Sequence, residues 1–187
     1  VDMKPPLRTF LRCCLYLGLS ASLCGSALRA ASPAGAPQLL SAKKIWDGAQ
    51  HNAFTDLVRF KGRFYLTFRS CPDGHMVHPT ASVIVLRSPD GAKWEETHRF
   101  RVERRDTRDP HFLVFQDKLF VYTGTWYSGT TTLARADYDL NKHLGYAAWS
   151  EDGAKWRSPV MLEGTFGHYI WRAAAFGGKA YLCGRRK

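Results

Sequence analysis

Acidic side chains are scarce in this 187-residue chain: 16 Asp and Glu stand against 27 Lys and Arg, a formal net charge of +11. The excess is spread along the chain, so it permits anionic partners without dictating a fold. Cysteine is sparse too. Of 5 in all, Cys13, Cys14 and Cys24 sit near the start, which leaves Cys71 and Cys183. Two cysteines make no disulfide framework; they read either as a pair in an oxidising compartment or as free thiols. Long apolar runs are missing. The longest, Cys13–Leu28, falls short of the ~20 residues of a membrane span. After residue 45 no segment carries the 3.6-residue apolar period of a helix. There is no phosphate-cradling glycine loop, since Gly124, Gly129 and Gly145 do not form one, and no Gly-x-Ser-x-Gly elbow. These absences exclude a multispan membrane protein, a disulfide scaffold, a phosphate-loop enzyme and a serine-elbow hydrolase. What is present is globular in composition, 45% apolar and 23% charged. Aromatics at 13%, with 16 Gly and 9 Pro, favour short strands and tight turns.

The first 30 residues read as an export signal. Met3 is the expected start. Lys4, Arg8 and Arg12 precede the apolar run, and Arg29-Ala30-Ala31-Ser32 closes it, a basic, apolar, small-residue order. Cleavage is expected after Ala27 or Ala30, with residues 31–42 as a linker and a secreted or periplasmic address. Such an address, and aromatics that occupy strand and turn positions instead of a stacking surface, argue against nucleic acid as the partner.

From residue 43 onward a repeat organises the chain. Ser88-Pro89-Asp90-Gly91-Ala92-Lys93-Trp94 returns 62 residues later as Ser150-Glu151-Asp152-Gly153-Ala154-Lys155-Trp156. A second pattern occurs at Phe60, Phe115 and Phe176, each followed by two turn residues and another apolar run. Two motifs interleaved at one period indicate a repeated unit. Its local signals are β: hairpins at 58–68 and 112–122, further strands at 82–86 and 144–149, and a returning strand from Trp94 and from Trp156. The Asp of each turn is suited to accept backbone N–H groups. Gly supplies positive φ. The Ser hydroxyl closes the turn, and Trp packs against a neighbouring sheet. Ser88, Asp90, Gly91, Trp94, Ser150, Asp152, Gly153 and Trp156 are therefore assigned to structure. Four antiparallel strands per unit describe the blade of a β-propeller. The expected blades span about 43–104, 105–163 and, incomplete, 164–187.

These turns resemble the Asp-boxes of sialidase-like (BNR repeat) β-propellers. The run from Ala53 to Arg69 and the following Val85-Leu86-Arg87-Ser88-Pro89-Asp90-Gly91 is similar to exported proteins of that kind. The resemblance implies a propeller, six-bladed when complete, of which this chain is an amino-terminal fragment holding two full blades and part of a third. It implies a carbohydrate-active protein akin to exo-sialidases and other glycoside hydrolases, with this part truncated and inactive. A noncatalytic glycan-binding or scaffold propeller, and an inert truncated product, are the alternatives. Thr55-Asp56-Leu57 stands where sialidases carry an Arg-Ile-Pro, so the first carboxylate-binding Arg is missing. The nucleophilic Tyr and its Glu partner normally come from later blades. Arg108-Asp109-Pro110 also resembles a motif of invertase-like fructosidases.

In a propeller, residues just before each hairpin converge on one mouth. Alignment of Phe60, Phe115 and Phe176 puts Asp56, His111 and Arg172 at one position, with Asp109 on the face of His111 by alternation. Asp56 and Asp109 are the candidate catalytic carboxyls. Arg69, Arg108, Arg172 and Trp171 are the candidate substrate-binding groups, Arg being suited to grip a carboxylate. Each has a structural use as well: Asp56 on strand-end N–H groups, Arg108 with Asp109 as a local ion pair, Trp171 as packing. His75 and His78 lack a third ligand, so no metal is expected, and no cofactor. The expected partner is a carbohydrate, with an acidic sugar among the candidates.

Overall fold

The strands contain the aromatic and β-branched runs and extend beyond them. The computed structural model describes residues 37–128 and 141–186. The first sheet runs β1 (His51–Phe60), β2 (Arg63–Cys71), β3 (Ser82–Ser88) and β4 (Glu95–Phe100) in chain order. The second repeats the order with β5 (Arg105–Phe115), β6 (Lys118–Tyr127), β7 (His143–Ser150) and β8 (Trp156–Met161). A third sheet pairs β9 (His168–Phe176) with β10 (Lys179–Arg186). All pairings are antiparallel, and the architecture is all-β. These strands belong to the compact unit Lys43–Lys187.

Each hairpin after the recurring Phe closes through two residues of positive φ: Lys61 and Gly62, Gln116 and Asp117, Gly177 and Gly178. That backbone matches the right-handed twist of the flanking strands. The two Ser-x-Asp-Gly turns also share one construction. Asp90 Oδ1 accepts from the N–H groups of Ala92 and Lys93, and Asp152 Oδ1 accepts from Ala154 and Lys155. The Ser hydroxyl accepts from the Gly N–H at 2.8 Å in both. These bonds hold the carboxyl of Asp90 below its ordinary value and that of Asp152 down to about 2.

The main core lies between the first and second sheets. Phe60, Tyr65, Val83, Val85 and Phe100 from one meet Phe112, Leu119, Val121 and Ala148 from the other. Trp156 joins this core, while Trp94 packs with Trp46 over Phe68, Ile84 and Leu86 on the opposite face of the first sheet. The second sheet turns Leu113, Tyr122 and Ala147 towards Ala173 of β9.

Strands β1, β5 and β9 reach several residues further back than their apolar runs. The charged stretch Arg105–Arg108 lies inside β5 and is buried. Cys71 is buried, Cys183 is exposed, and both are free thiols. The export signal expected over residues 1–30 lies outside the described residues; of the linker, residues 37–42 are described and carry no regular structure. Among the described residues no helix is long and apolar enough to cross a membrane.

Candidate functional site

Three strand segments build the site, and all three are bulged at the same place. The register of β1 slips between Ala53 and Asp56, that of β5 between Arg108 and His111, and that of β9 between Ile170 and Arg172. Counted back from Phe60, Phe115 and Phe176, the extra residue falls five or six positions before the hairpin in each. Phe54 and Asp109 take positive φ, 61° and 52°, at equivalent positions. A bulged strand re-aims its side chains. In β5 the residues paired to Gly124 and Tyr122 are Arg108 and His111, so these two share a face. Strict alternation expects Asp109 there; the inserted residue reverses the parity and turns Asp109 away.

Asp56 is the centre of the convergence. Its Oδ2 accepts the backbone N–H of Phe112 in β5 at 2.9 Å, and its Oδ1 accepts that of Leu57 at 3.0 Å. His111 Nδ1 stands 3.6 Å away and Arg172 Nη1 of β9 3.5 Å away. Burial opposes ionisation of this carboxyl, but the His111 imidazole and the two backbone donors together hold it below its ordinary value. Asp56 is thus an ionised acceptor and does not serve as a proton donor. Asp56 thus bonds strand N–H groups and has Arg172 of β9 beside the same side chain.

Asp109 belongs to a second, deeper group. It accepts a hydrogen bond from the Tyr169 hydroxyl, while its Oδ1 is buried without a hydrogen-bond partner among the described residues. Burial, then the charge of Asp109, pushes the Tyr169 phenol well above its ordinary value. The phenol therefore stays neutral and donates. Gly124 makes room for it: a Cβ there would stand 2.9 Å from the Tyr169 ring. Asp109 makes no ion pair with Arg108, whose Nη1 lies 3.3 Å from Asp106.

Arg69 is placed where a ligand does not reach. Its side chain is 0% exposed and faces Asp106, also 0% exposed, with Nε 2.9 Å from Oδ1. Its remaining donors go to the carbonyls of Gly74 and Met76 and to His51 Nδ1. Arg108 donates to the His75 carbonyl and lies over the Phe54 ring. Together these bonds pin the loop 72–81. Arg69, expected as a sugar-gripping group, is set in the interior: a buried guanidinium needs a buried partner, and Asp106 is that partner. Asp73, in the same loop, accepts from the Thr80 hydroxyl. Sequence reasoning missed Asp106, Arg105 and His51. Asp106 and Arg108 were a signal, since two charges of opposite sign two residues apart share one face of a strand.

Arg can only donate, so His51 Nδ1 is an acceptor and its Nε2–H points to His75 Nδ1 at 3.0 Å. Burial, then the charges of Arg69 and His75, lowers the pKa of His51; burial does the same for His98. The folded state therefore binds these protons less readily than the unfolded chain, whose histidines titrate near 6.5. Stability is full above that value and declines as pH falls below it. Urea midpoints should drop between about pH 7.5 and about pH 5.5. The drop should shrink in the His51→Gln/His98→Gln double variant; an equal drop there would assign the acid sensitivity elsewhere.

The exposed equipment lies on β9 and β10. Trp171 is 41% exposed, Arg185 sits 5.0 Å from its ring centroid, and Arg172 extends into solvent beside Asp56. This is an aromatic and cationic platform next to one fixed carboxylate. Among the described residues no group of three or more His, Cys, Asp or Glu is placed to hold a metal ion.

No family model matches the chain, and no curated protein matches its sequence. Among solved structures it is similar to Trypanosoma rangeli sialidase, at 16% identity over 67% of this chain and 23% of that one, with a TM-score of 0.49. It is similar to the GH43 protein BlXynB of Bacillus licheniformis in a mutant form, at 13% identity over 70% of this chain and 26% of that one, TM-score 0.47. A protein of unknown function from Dyadobacter fermentans matches at 22% identity over 64% and 39%, TM-score 0.43. The chain thus spans about a quarter of the length of the sialidase and GH43 structures.

Proposed function

We propose that this chain is the amino-terminal part of an exported, sialidase-like β-propeller that acts on carbohydrate. In this reading the inner strands β1, β5 and β9 surround the mouth, and the ligand lies against Trp171 and Arg172. The observation that carries the reading is Asp56: one carboxylate of β1 bonds the β5 backbone and faces Arg172 of β9. Three equivalent strand ends meet only where the units are arranged radially. Trp171 offers a face for a sugar ring, and Arg172 and Arg185 offer charge for an acidic group.

One observation favours binding over turnover. Glycoside cleavage needs a carboxyl pair free to act as acid and as nucleophile or base. Here Asp56 is held ionised by backbone donors and Asp109 is engaged by Tyr169. In this proposal any catalytic pair comes from further units, and these residues supply recognition. The test is a glycan array with neutral and acidic sugars, run beside a panel of aryl glycosides. Acidic glycans should bind, Trp171→Ala and Arg172→Ala should each weaken binding by about tenfold, and no aryl glycoside should turn over. Binding equal to wild type in both variants would place the sugar elsewhere. Mass spectrometry of the exported protein should find the mature start near residue 28 or 31.

A further inference from the structure

A guanidinium has five N–H donors and no acceptor, and Arg69 commits all five. Nε and one N–H of Nη2 go to Asp106 at 2.9 and 3.2 Å. The other N–H of Nη2 goes to the Met76 carbonyl and one of Nη1 to the Gly74 carbonyl, both at 3.0 Å. The last goes to His51 Nδ1 at 2.8 Å. The Arg69 side chain is fully buried, so a displaced N–H has no solvent to turn to.

From Arg69 the donors run one way. His51 accepts at Nδ1 and donates from Nε2 to His75 Nδ1 at 3.0 Å, which leaves the His75 proton on Nε2. Each ring therefore fits the relay only as the neutral imidazole. A second proton on His51 would set N–H against N–H across the 2.8 Å to Arg69. Charge acts in the same direction. The groups that face His51 are Arg69 from β2, Arg108 and Asp106 from β5, and His75 from the loop. Two of these are fixed cations, and the one carboxylate is already shared between them.

Only the tip of the loop 72–81 depends on this relay. The base is closed on itself: the Thr80 hydroxyl donates to Asp73, and the Ala81 N–H to the His78 carbonyl at 3.3 Å. The tip, residues 74–76, is held by Arg69 and by Arg108, whose Nη2 donates to the His75 carbonyl at 3.2 Å. The His75 ring rests against His51 and Phe54, with centroids 4.8 and 6.0 Å apart. Gly74, at φ +99°, gives the tip a hinge. We propose that residues 74–76 form a pH-operated latch, closed on β1 while His51 is neutral and released when His51 takes a second proton. Phe54, under the closed tip, belongs to the β1 bulge and stands two residues before Asp56, so the latch ends beside the mouth. Burial and then the Arg69 charge lower the pKa of His51 in the closed state. Closure therefore weakens as the pH falls below about 6.5, the ordinary imidazole value. The latch is independent of the carbohydrate reading, because its readout is the loop itself.

Backbone relaxation in the full chain tests it. Between about pH 7.5 and about pH 5, order parameters of His75 and Met76 should fall from about 0.85 to below about 0.6. Those of Val83–Leu86 in β3 should not move. The midpoint should coincide with the titration of the His51 ring, read from its own carbon shifts. His51→Asn keeps an acceptor for Arg69 that takes no proton, so its tip should stay ordered at both pH values. His51→Lys puts a permanent cation there, so its tip should be loose at both. Circular dichroism matching wild type confirms that the variants fold; should His51→Lys misfold, wild type against His51→Asn decides. A wild-type tip that stays rigid at the acid end would overturn the proposal. So would equal loosening in His51→Asn, or loosening that spreads into β3.

Discussion

Replacement of Arg69 by methionine is expected to destabilise the protein by about 3–5 kcal/mol, the range found when one partner of a buried ion pair is removed. Arg69 and Asp106 are both fully buried, so the variant leaves a carboxylate without its counter-charge in a low-dielectric interior. Arg108, 3.3 Å from Asp106, offsets part of that cost. The carbonyls of Gly74 and Met76 also lose their donor, which should unpin the loop 72–81. Urea denaturation reads the global loss, and amide exchange in the loop reads the local one. The double variant Arg69→Met/Asp106→Leu removes both charges and should recover much of the stability. A loss under about 1 kcal/mol in the single variant would show that the pair does not hold the two sheets together.

The second large effect is expected at Gly153. Alanine there must keep a positive φ, at about 1–2 kcal/mol, and must also displace Tyr65 from a core packed to near-crystalline density, at about 1–3 kcal/mol more. The hydroxyl would lie 1.8 Å and the ring carbon Cζ 2.5 Å from the new methyl. Gly91→Ala meets no neighbour, so it should cost the φ component alone. Tyr65→Phe added to Gly153→Ala removes the nearest atom but leaves Cζ in place, so recovery should be partial. Thermal or chemical unfolding of the four proteins decides this, and equal losses at Gly91 and Gly153 would contradict the packing of Tyr65 beneath Gly153.

How far the sequence could be read depended on how local each interaction is. The turns around Asp90 and Asp152 were legible because every group that closes them lies within seven residues; the Trp was legible only for Trp156, since Trp94, expected against a neighbouring sheet, packs on its own sheet with Trp46. The hairpins after Phe60, Phe115 and Phe176 were legible for the same reason. The rear half of β5 was not. Arg105, Asp106 and Arg108 look like a solvated loop until the partner strands arrive, because burial of each charge depends on a residue of opposite charge or a carbonyl supplied by tertiary contact. Arg105, for example, donates to Thr125 and to the Asn141 carbonyl. The bulges were also hidden. Phe54 and Asp109 are not glycine, so nothing in the residue type announces a left-handed backbone, and an alternation rule carried through Asp109 assigns the wrong face. Asp56 and Arg172 were placed together by register alone, since both lie after the bulge in strands that share it. The depth of Arg69 was hidden too, because nothing in its residue type announces the buried Asp106 that it faces.

The hydrogen bond from the Phe112 N–H to Asp56 has a practical corollary. That amide leaves β5 to reach a side chain of another sheet, so its environment follows the charge of one carboxyl. In an amide-resolved spectrum the Phe112 resonance should titrate with Asp56 at acid pH, well below the range of the histidines, while its strand neighbours stay still. A ligand that draws Arg172 away from Asp56 should shift the same resonance at constant pH. A single backbone proton thereby becomes a native reporter of the charge on Asp56, readable with no label attached to that side chain.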